Sequence, residues 1–140
     1  VNKRRLLKLA DLLEADAKNK KGIKFDLGTW GNSDDDEVSV SCGTTACAMG
    51  LAVVSGAFKR AGLTNHYSDN ADSICPRFDG YVGFAAAAAL FDIEYNAATF
   101  LFEDTFYPEH KKRGAAGERY VAKRIRDFVA GKVTPPKVES

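Results

Sequence analysis

Residues 3–20 repeat their apolar side chains at only one spacing. Leu6, Leu9, Ala10, Leu13 and Ala17 follow one another at helical intervals, which gathers them on one face of an α-helix but would scatter them over both faces of a strand. Such a helix is stable only when another element covers its apolar face, so the start of the chain commits it to a helix-packed core. Asn2 stands where an N-cap is needed and Gly22 where the helix should stop, with Lys20 and Lys21 beside the negative end of its dipole. The far end of the chain repeats the device. A helix over residues 115–130 turns Tyr120, Val121, Ile125, Phe128 and Val129 inward and Lys123, Arg124 and Arg126 outward, and Gly131 stops it.

Between these helices the pattern is shorter and punctuated by glycine. Ile23, Phe25 and Leu27 alternate with polar residues, predicting one extended segment that ends on Trp30, a core anchor. Residues 38–42 read as a short strand. From Thr45 to Ala61 the period returns to that of a helix, with Cys47, Leu51, Val54, Phe58 and Ala61 on one face; Gly50 and Gly56 inside it predict close approach of another backbone. Residues 74–83 read as a hairpin turning at Asp79-Gly80, with Pro76 confining its first arm to an edge. A small-residue helix over Gly83 to Leu90 contains five successive alanines. Asp92 would cap a further helix, Glu94 to Phe102, which Phe106-Tyr107-Pro108 breaks. Thr134-Pro135-Pro136 opens a loose tail over about 132–140. With 140 residues and no internal repeat or linker, the expectation is a single domain, 1–140. Its fold class is mainly α with minor β, a compact bundle of four to five helices with a short strand or hairpin element.

The net charge of +1 hides a segregation. Residues 1–24 carry eight Lys/Arg against three Asp/Glu, residues 25–110 three against thirteen, and residues 111–140 nine against three. Basic ends and an acidic middle attract each other within a fold or present opposite faces to partners. Three cysteines are too few for a secreted disulfide scaffold. No apolar run reaches the length of a membrane span, and no charged start leads into an apolar leader. The expectation is a cytoplasmic protein with no membrane partner.

One stretch stands apart: Cys42-Gly43-Thr44-Thr45-Ala46-Cys47-Ala48-Met49-Gly50. It follows an amphipathic first helix and Phe25-Asp26-Leu27-Gly28-Thr29-Trp30. A short helix ending Leu101-Phe102, a Tyr107-Pro108 break and a final helix with Val121-Ala122, Ile125 and Phe128 come after it. In this order the chain is similar to a group of small, uncharacterised proteins of bacteria and their phages that share a Cys-Gly-Thr-x-x-Cys-x-x-Gly core. The resemblance implies a fold and a phage or prophage setting, with a virion as a second location, but no reaction. Where relatives place Trp or His after the final glycine, this chain has Leu51.

The stretch suits several chemistries. Near a helix N-terminus the Cys47 thiol would be acidified, with Thr44 or Thr45 capping the helix, His66 or His110 as base, and Asn65 or Asp69 orienting it. That would make a thiol-dependent hydrolase or transferase. The papain-type signature differs, since four residues separate the two cysteines here and no Trp follows the second. Cys42, Cys47, His66 and Cys75 are chemically a Cys3His set for zinc. A disulfide from Cys42 to Cys47, or from either to Cys75, is also open. The acidic run Asn32 to Glu37 suits a hard cation but lacks the calcium-loop pattern. Lys3, Arg4, Arg5 and Lys111, Lys112, Arg113 would form one face for a nucleic-acid backbone if the terminal helices pack together.

A mechanical reading explains every residue of the stretch without chemistry. Gly43 supplies an unusual backbone conformation, a threonine caps the helix, Cys47 fills a small core space, and Gly50 admits a neighbour. The leading expectation is therefore a non-enzymatic interaction or structural protein, without a cofactor, acting on a protein partner or on itself. Phe100, Phe102, Phe106 and Tyr107 are its candidate contact surface.

Overall fold

The computed structural model describes residues 1–34, 37–68 and 70–136. The first amphipathic segment forms α1 (Lys3–Lys18), with the Asn2 side chain accepting the Arg5 N–H at 3.1 Å. Leu6, Leu9, Ala10 and Leu13 are fully buried, as their spacing requires. The last amphipathic segment forms α5 (Gly114–Val129), which packs along α1 and buries Val121, Ala122 and Ile125. Arg126 reaches Asp11 and Glu14, while Glu118 lies against Asp16, so the two helices run antiparallel.

Among the described residues there are five α-helices and two three-stranded sheets, making the chain mainly α with some β. In the first sheet β3 (Thr44–Ala46) is central. It runs parallel to β1 (Lys24–Phe25) and antiparallel to β2 (Gly31–Ser33), with Phe25 opposite Ala46 and Asn32 opposite Thr45. The second sheet is antiparallel, with β5 (Pro76–Phe78) between β4 (Thr64–Asn65) and β6 (Tyr81–Val82). Its β5–β6 turn is Asp79-Gly80, both at positive φ, as the hairpin pattern predicts. Pro76 is not on an edge strand. It opens the central strand, the one place there where a missing N–H breaks no ladder. The sheets meet where Ile74 N–H donates to the Gly31 carbonyl at 2.9 Å and Ser33 N–H to Asp72 at 2.8 Å.

The helical pattern over 45–61 yields only α2 (Ala48–Val54). Gly56 takes φ +71°, which turns the chain out of the helix, and nothing approaches it closely. Residues 38–42 form no strand. Ser39 N–H donates to Thr44 Oγ1 at 3.0 Å and Ser41 N–H to the Ser39 carbonyl at 2.9 Å, so side-chain and turn bonds take the groups a ladder would use. The alanine-rich helix is α3 (Gly83–Phe91), and Asp92 ends it in a left-handed conformation instead of capping α4 (Tyr95–Phe102). Two 3-10 turns, Asp104–Phe106 and Glu109–Lys111, lead to α5. Among the described residues no helix is long and apolar enough to cross a membrane. Residues 137–140 of the expected tail lie outside the described residues.

Candidate functional site

Cys47 is the residue around which the most informative stretch is built, and the structure makes it a fastener. It stands just before α2 with extended backbone, and its sulfur accepts the Gly50 N–H at 3.5 Å, so the thiol itself is the cap. Thr44 and Thr45 lie in β3 instead, Thr44 fully buried, and Gly43 is not among the residues at positive φ. The Cys47 S–H donates in turn to the Trp30 carbonyl at 3.8 Å. A Cβ on Gly50 would collide with that same carbonyl oxygen. Cys47 and Gly50 together thus hold the Trp30 backbone against α2.

The indole so placed packs on Phe84 with ring centroids 4.6 Å apart, and Phe84 meets Tyr95 edge-on at 6.4 Å. Trp30 and Phe84 are half-buried and Tyr95 is 59% exposed. Beside this ladder lies a cleft of about 400 Å³ lined by Trp30, Phe84, Thr29, Cys47, Glu103 and Asp104 among others. Glu103 Oε1 accepts the Thr105 hydroxyl at 3.0 Å. Among the described residues neither Glu103 nor Asp104 has an ion-pair partner.

The thiol chemistry finds little support in this geometry. Burial pushes the Cys47 thiol up to about 11, and its hydrogen bonds go to Trp30 and Gly50, not to an imidazole. His66 and His110 are exposed. Asn65 is buried and fully engaged, donating to the Ser68 and Ser73 carbonyls and accepting from Tyr67 and Cys75 N–H groups. Asp69, the other candidate to orient a base, lies outside the described residues. Of the zinc candidates, Cys42 is exposed, Cys47 buried and Cys75 half-buried, all as free thiols. His66 N–H donates to the Cys75 carbonyl at 2.8 Å. Among the described residues no three His, Cys, Asp or Glu side chains gather to hold a metal. In the acidic run, Asp35 and Asp36 lie outside the described residues, and Asp34 faces Lys24 at 4.0 Å.

Two further expectations are corrected by packing. Phe102 and Tyr107 are core residues, 1% and 5% exposed, so they offer no face to a partner. Tyr107 donates its hydroxyl to the Leu101 carbonyl at 2.6 Å, and burial holds its phenol well above the ordinary range. The Arg124 guanidinium covers its ring at 3.8 Å and that of Phe100 at 4.5 Å. Of the four, Phe106 is the exposed one and Phe100 is half-buried. The basic ends do not form one face either. Because α1 and α5 are antiparallel, Lys3–Arg5 and Lys111–Arg113 lie at opposite ends of the pair, with about 20 Å of helix between them. Arg5 is spent on the Leu90 carbonyl, Lys112 on Glu109, and Arg113 on Asp26 and Glu109.

A second cleft, of about 440 Å³, opens between the start of α5 and the end of α1, lined by Asp16, Ile23, Phe25, Arg113 and Glu118 among others. Asp16 and Glu118 are 8% and 2% exposed, and each has one buried oxygen with no donor among the described residues. Burial first, then the hydrogen bond and charge of Asp16, push Glu118 up to about 10. This pair had a sequence signal. Asp16 continues the Leu6, Leu9, Leu13 series and Glu118 the series leading to Val121 and Ile125, so each is an acid on an apolar stripe.

No known protein family, curated protein or solved structure matches the chain.

Proposed function

We propose that this is a non-enzymatic interaction protein that works through protein contacts, with the Trp30–Phe84–Tyr95 ladder as its contact face. The observation that carries this reading is the ladder itself: three rings run from a half-buried cleft wall to a largely exposed tyrosine. Tyr81 and Val82, directly before Gly83 and Phe84 in the chain, are also exposed, at 54% and 44%. Exposed aromatic side chains clustered beside a cleft are the composition of interface centres. The thiol-dependent alternative, with Cys47 as nucleophile, has less behind it, because the sulfur is buried and its hydrogen bonds serve to hold Trp30.

The test compares matched tyrosines. A double variant, Tyr81→Ser with Tyr95→Ser, removes the exposed rings of the face, while Tyr67→Ser removes an equally exposed ring elsewhere. Co-purified proteins should be lost from the double variant and retained by Tyr67→Ser, with unfolding transitions of both close to the parent. Identical retention by all three proteins would end this assignment of the face.

A further inference from the structure

Resting on that contact face, we infer that the Trp30 cleft receives the side chain of an arginine carried by the protein partner. Three observations converge on a planar cation. First, two aromatic side chains line the cleft, the Trp30 indole and the Phe84 ring, packed with centroids 4.6 Å apart and both half-buried. Second, the mouth is lined by two carboxylates, Glu103 and Asp104, for which the described residues provide no cation. Third, these acids follow α4 directly, Glu103 being its C-cap. Glu103 thus sits at the negative end of α4 while Asp104 opens the following 3-10 turn, and with no cation paired to either carboxylate among the described residues a bound cation is favoured there.

The remaining surroundings do not compete. Asp26, which lines the other cleft, accepts from Gly28 N–H at 2.8 Å and from Arg113 at 3.4 Å. Cys47 on the floor is an uncharged thiol at neutral pH. Gly28 also lines the cleft, where a Cβ would first meet Asp26 Oδ1 at 3.1 Å and then Asp104 Oδ2 at 4.0 Å.

Arginine fits this site better than lysine. A guanidinium stacks flat on an indole while its edge donates to carboxylates in pairs, whereas an ammonium is a compact point charge that does one or the other. The molecule already uses a related arrangement within itself, with backbone carbonyls in place of carboxylates. Arg124 lies over the Tyr107 and Phe100 rings while donating to the Phe100 and Phe106 carbonyls at 3.1 and 2.9 Å.

Trp30 is the only tryptophan, so its emission reads the cleft directly. The full chain is titrated with a blocked glycine peptide bearing one central arginine, and with the same peptide bearing lysine or citrulline, the uncharged isostere. The arginine peptide should change Trp30 emission saturably, lysine should bind more weakly, and citrulline about tenfold more weakly or worse. Added salt should weaken the arginine complex. Glu103→Gln with Asp104→Asn should weaken it about tenfold or more, in a protein whose unfolding transition is retained. Citrulline binding as tightly as arginine would overturn the inference, as would an unchanged affinity in the double variant or no saturable response to any peptide. If those results come while the Tyr81/Tyr95 variant still loses its partners, the cleft assignment falls and the contact face stands. If instead that variant keeps its partners and arginine still titrates Trp30, the face falls and the cleft stands as a site for another arginine-bearing ligand.

Discussion

Asp16 with Glu118, and Glu103 with Asp104, are two pairs of acids lining two clefts of the same molecule, and they handle charge in opposite ways. The first pair joins distant parts of the chain across α1 and α5 and is almost wholly buried. Each partner keeps an oxygen without a donor among the described residues, and a protonated Glu118 would donate to Asp16, so that one proton serves the pair. The second pair is adjacent in the chain, half-buried, and open to an aromatic cleft. Burial beside a second acid leaves a carboxyl group one solution, to keep its proton. Partial exposure at a helix C-terminus leaves another, to attract a cation. The contrast separates an acid pair that closes the structure from one that waits for a ligand.

The largest test of that contrast is pH. The Glu118 carboxyl is raised from 4.5 in the unfolded chain to about 10 in the fold. Within that window the folded state holds one proton more than the unfolded state. Its contribution to stability is therefore full below the unfolded value and is lost as pH rises toward the folded one. Glu118→Gln replaces the proton by a permanent N–H donor to Asp16. The parent's unfolding free energy should fall relative to this variant as pH rises from 6 to 9, by on the order of 1 kcal/mol for each pH unit. Arg119 on the same helix opposes the shift, and Lys24, Asp26 and Arg113 border the cleft, so each stays in place in both proteins. A difference that stays constant with pH in denaturant titrations would break the shared-proton account.

Next in size is the wall of the open cleft. Gly50→Ala puts a methyl group where the Trp30 carbonyl oxygen sits. The expected loss is about 1–3 kcal/mol, as for other overpacked sites, with a shift in Trp30 emission and a weakened response to the arginine peptide. An alanine variant with parent stability and parent emission would show that the glycine does not position the indole.

The smallest effect on stability is near neutral. Glu103→Gln with Asp104→Asn removes one charge from the end of α4 and one from the start of the 3-10 turn that follows, where the two helix-end effects oppose each other, so stability should stay within about 0.5 kcal/mol of the parent while affinity for arginine falls. A large loss of stability in denaturant titration would mean that these acids hold structure beyond the Glu103–Thr105 hydrogen bond, and the contrast with Asp16 and Glu118 would close.

Local pattern made much of the fold legible. Leu6, Leu9 and Leu13 announce α1, Val121 and Ile125 announce α5, the alanine run announces α3, and Asp79-Gly80 announces its hairpin turn. Failures came where a segment's partner lies far along the chain. The 45–61 periodicity continues past Val54, but Gly56 turns away and Phe58 reaches the core from a turn, where it meets Phe91 at 5.9 Å. Phe102 and Tyr107 look like surface aromatics because nothing in residues 100–107 announces that Arg124 will cover Tyr107. The candidate site was half visible. Trp30, Cys47 and Gly50 were singled out, whereas Glu103 and Asp104 were unremarkable acids after a helix until the first sheet carried Trp30 to them.

Sequence by itself determined where helices start and which face they bury, because those choices depend on neighbours three or four residues away. It also placed a small thiol and a glycine three residues apart, Cys47 and Gly50, with a mechanical reason for each. Only the tertiary structure decided what that spacing holds, since the Trp30 carbonyl arrives through β2 and β3, whose pairing joins segments far apart in the chain. Likewise, an acid on each apolar stripe was written into α1 and α5, but only their antiparallel packing brought Asp16 to Glu118 and turned two charges into one shared proton.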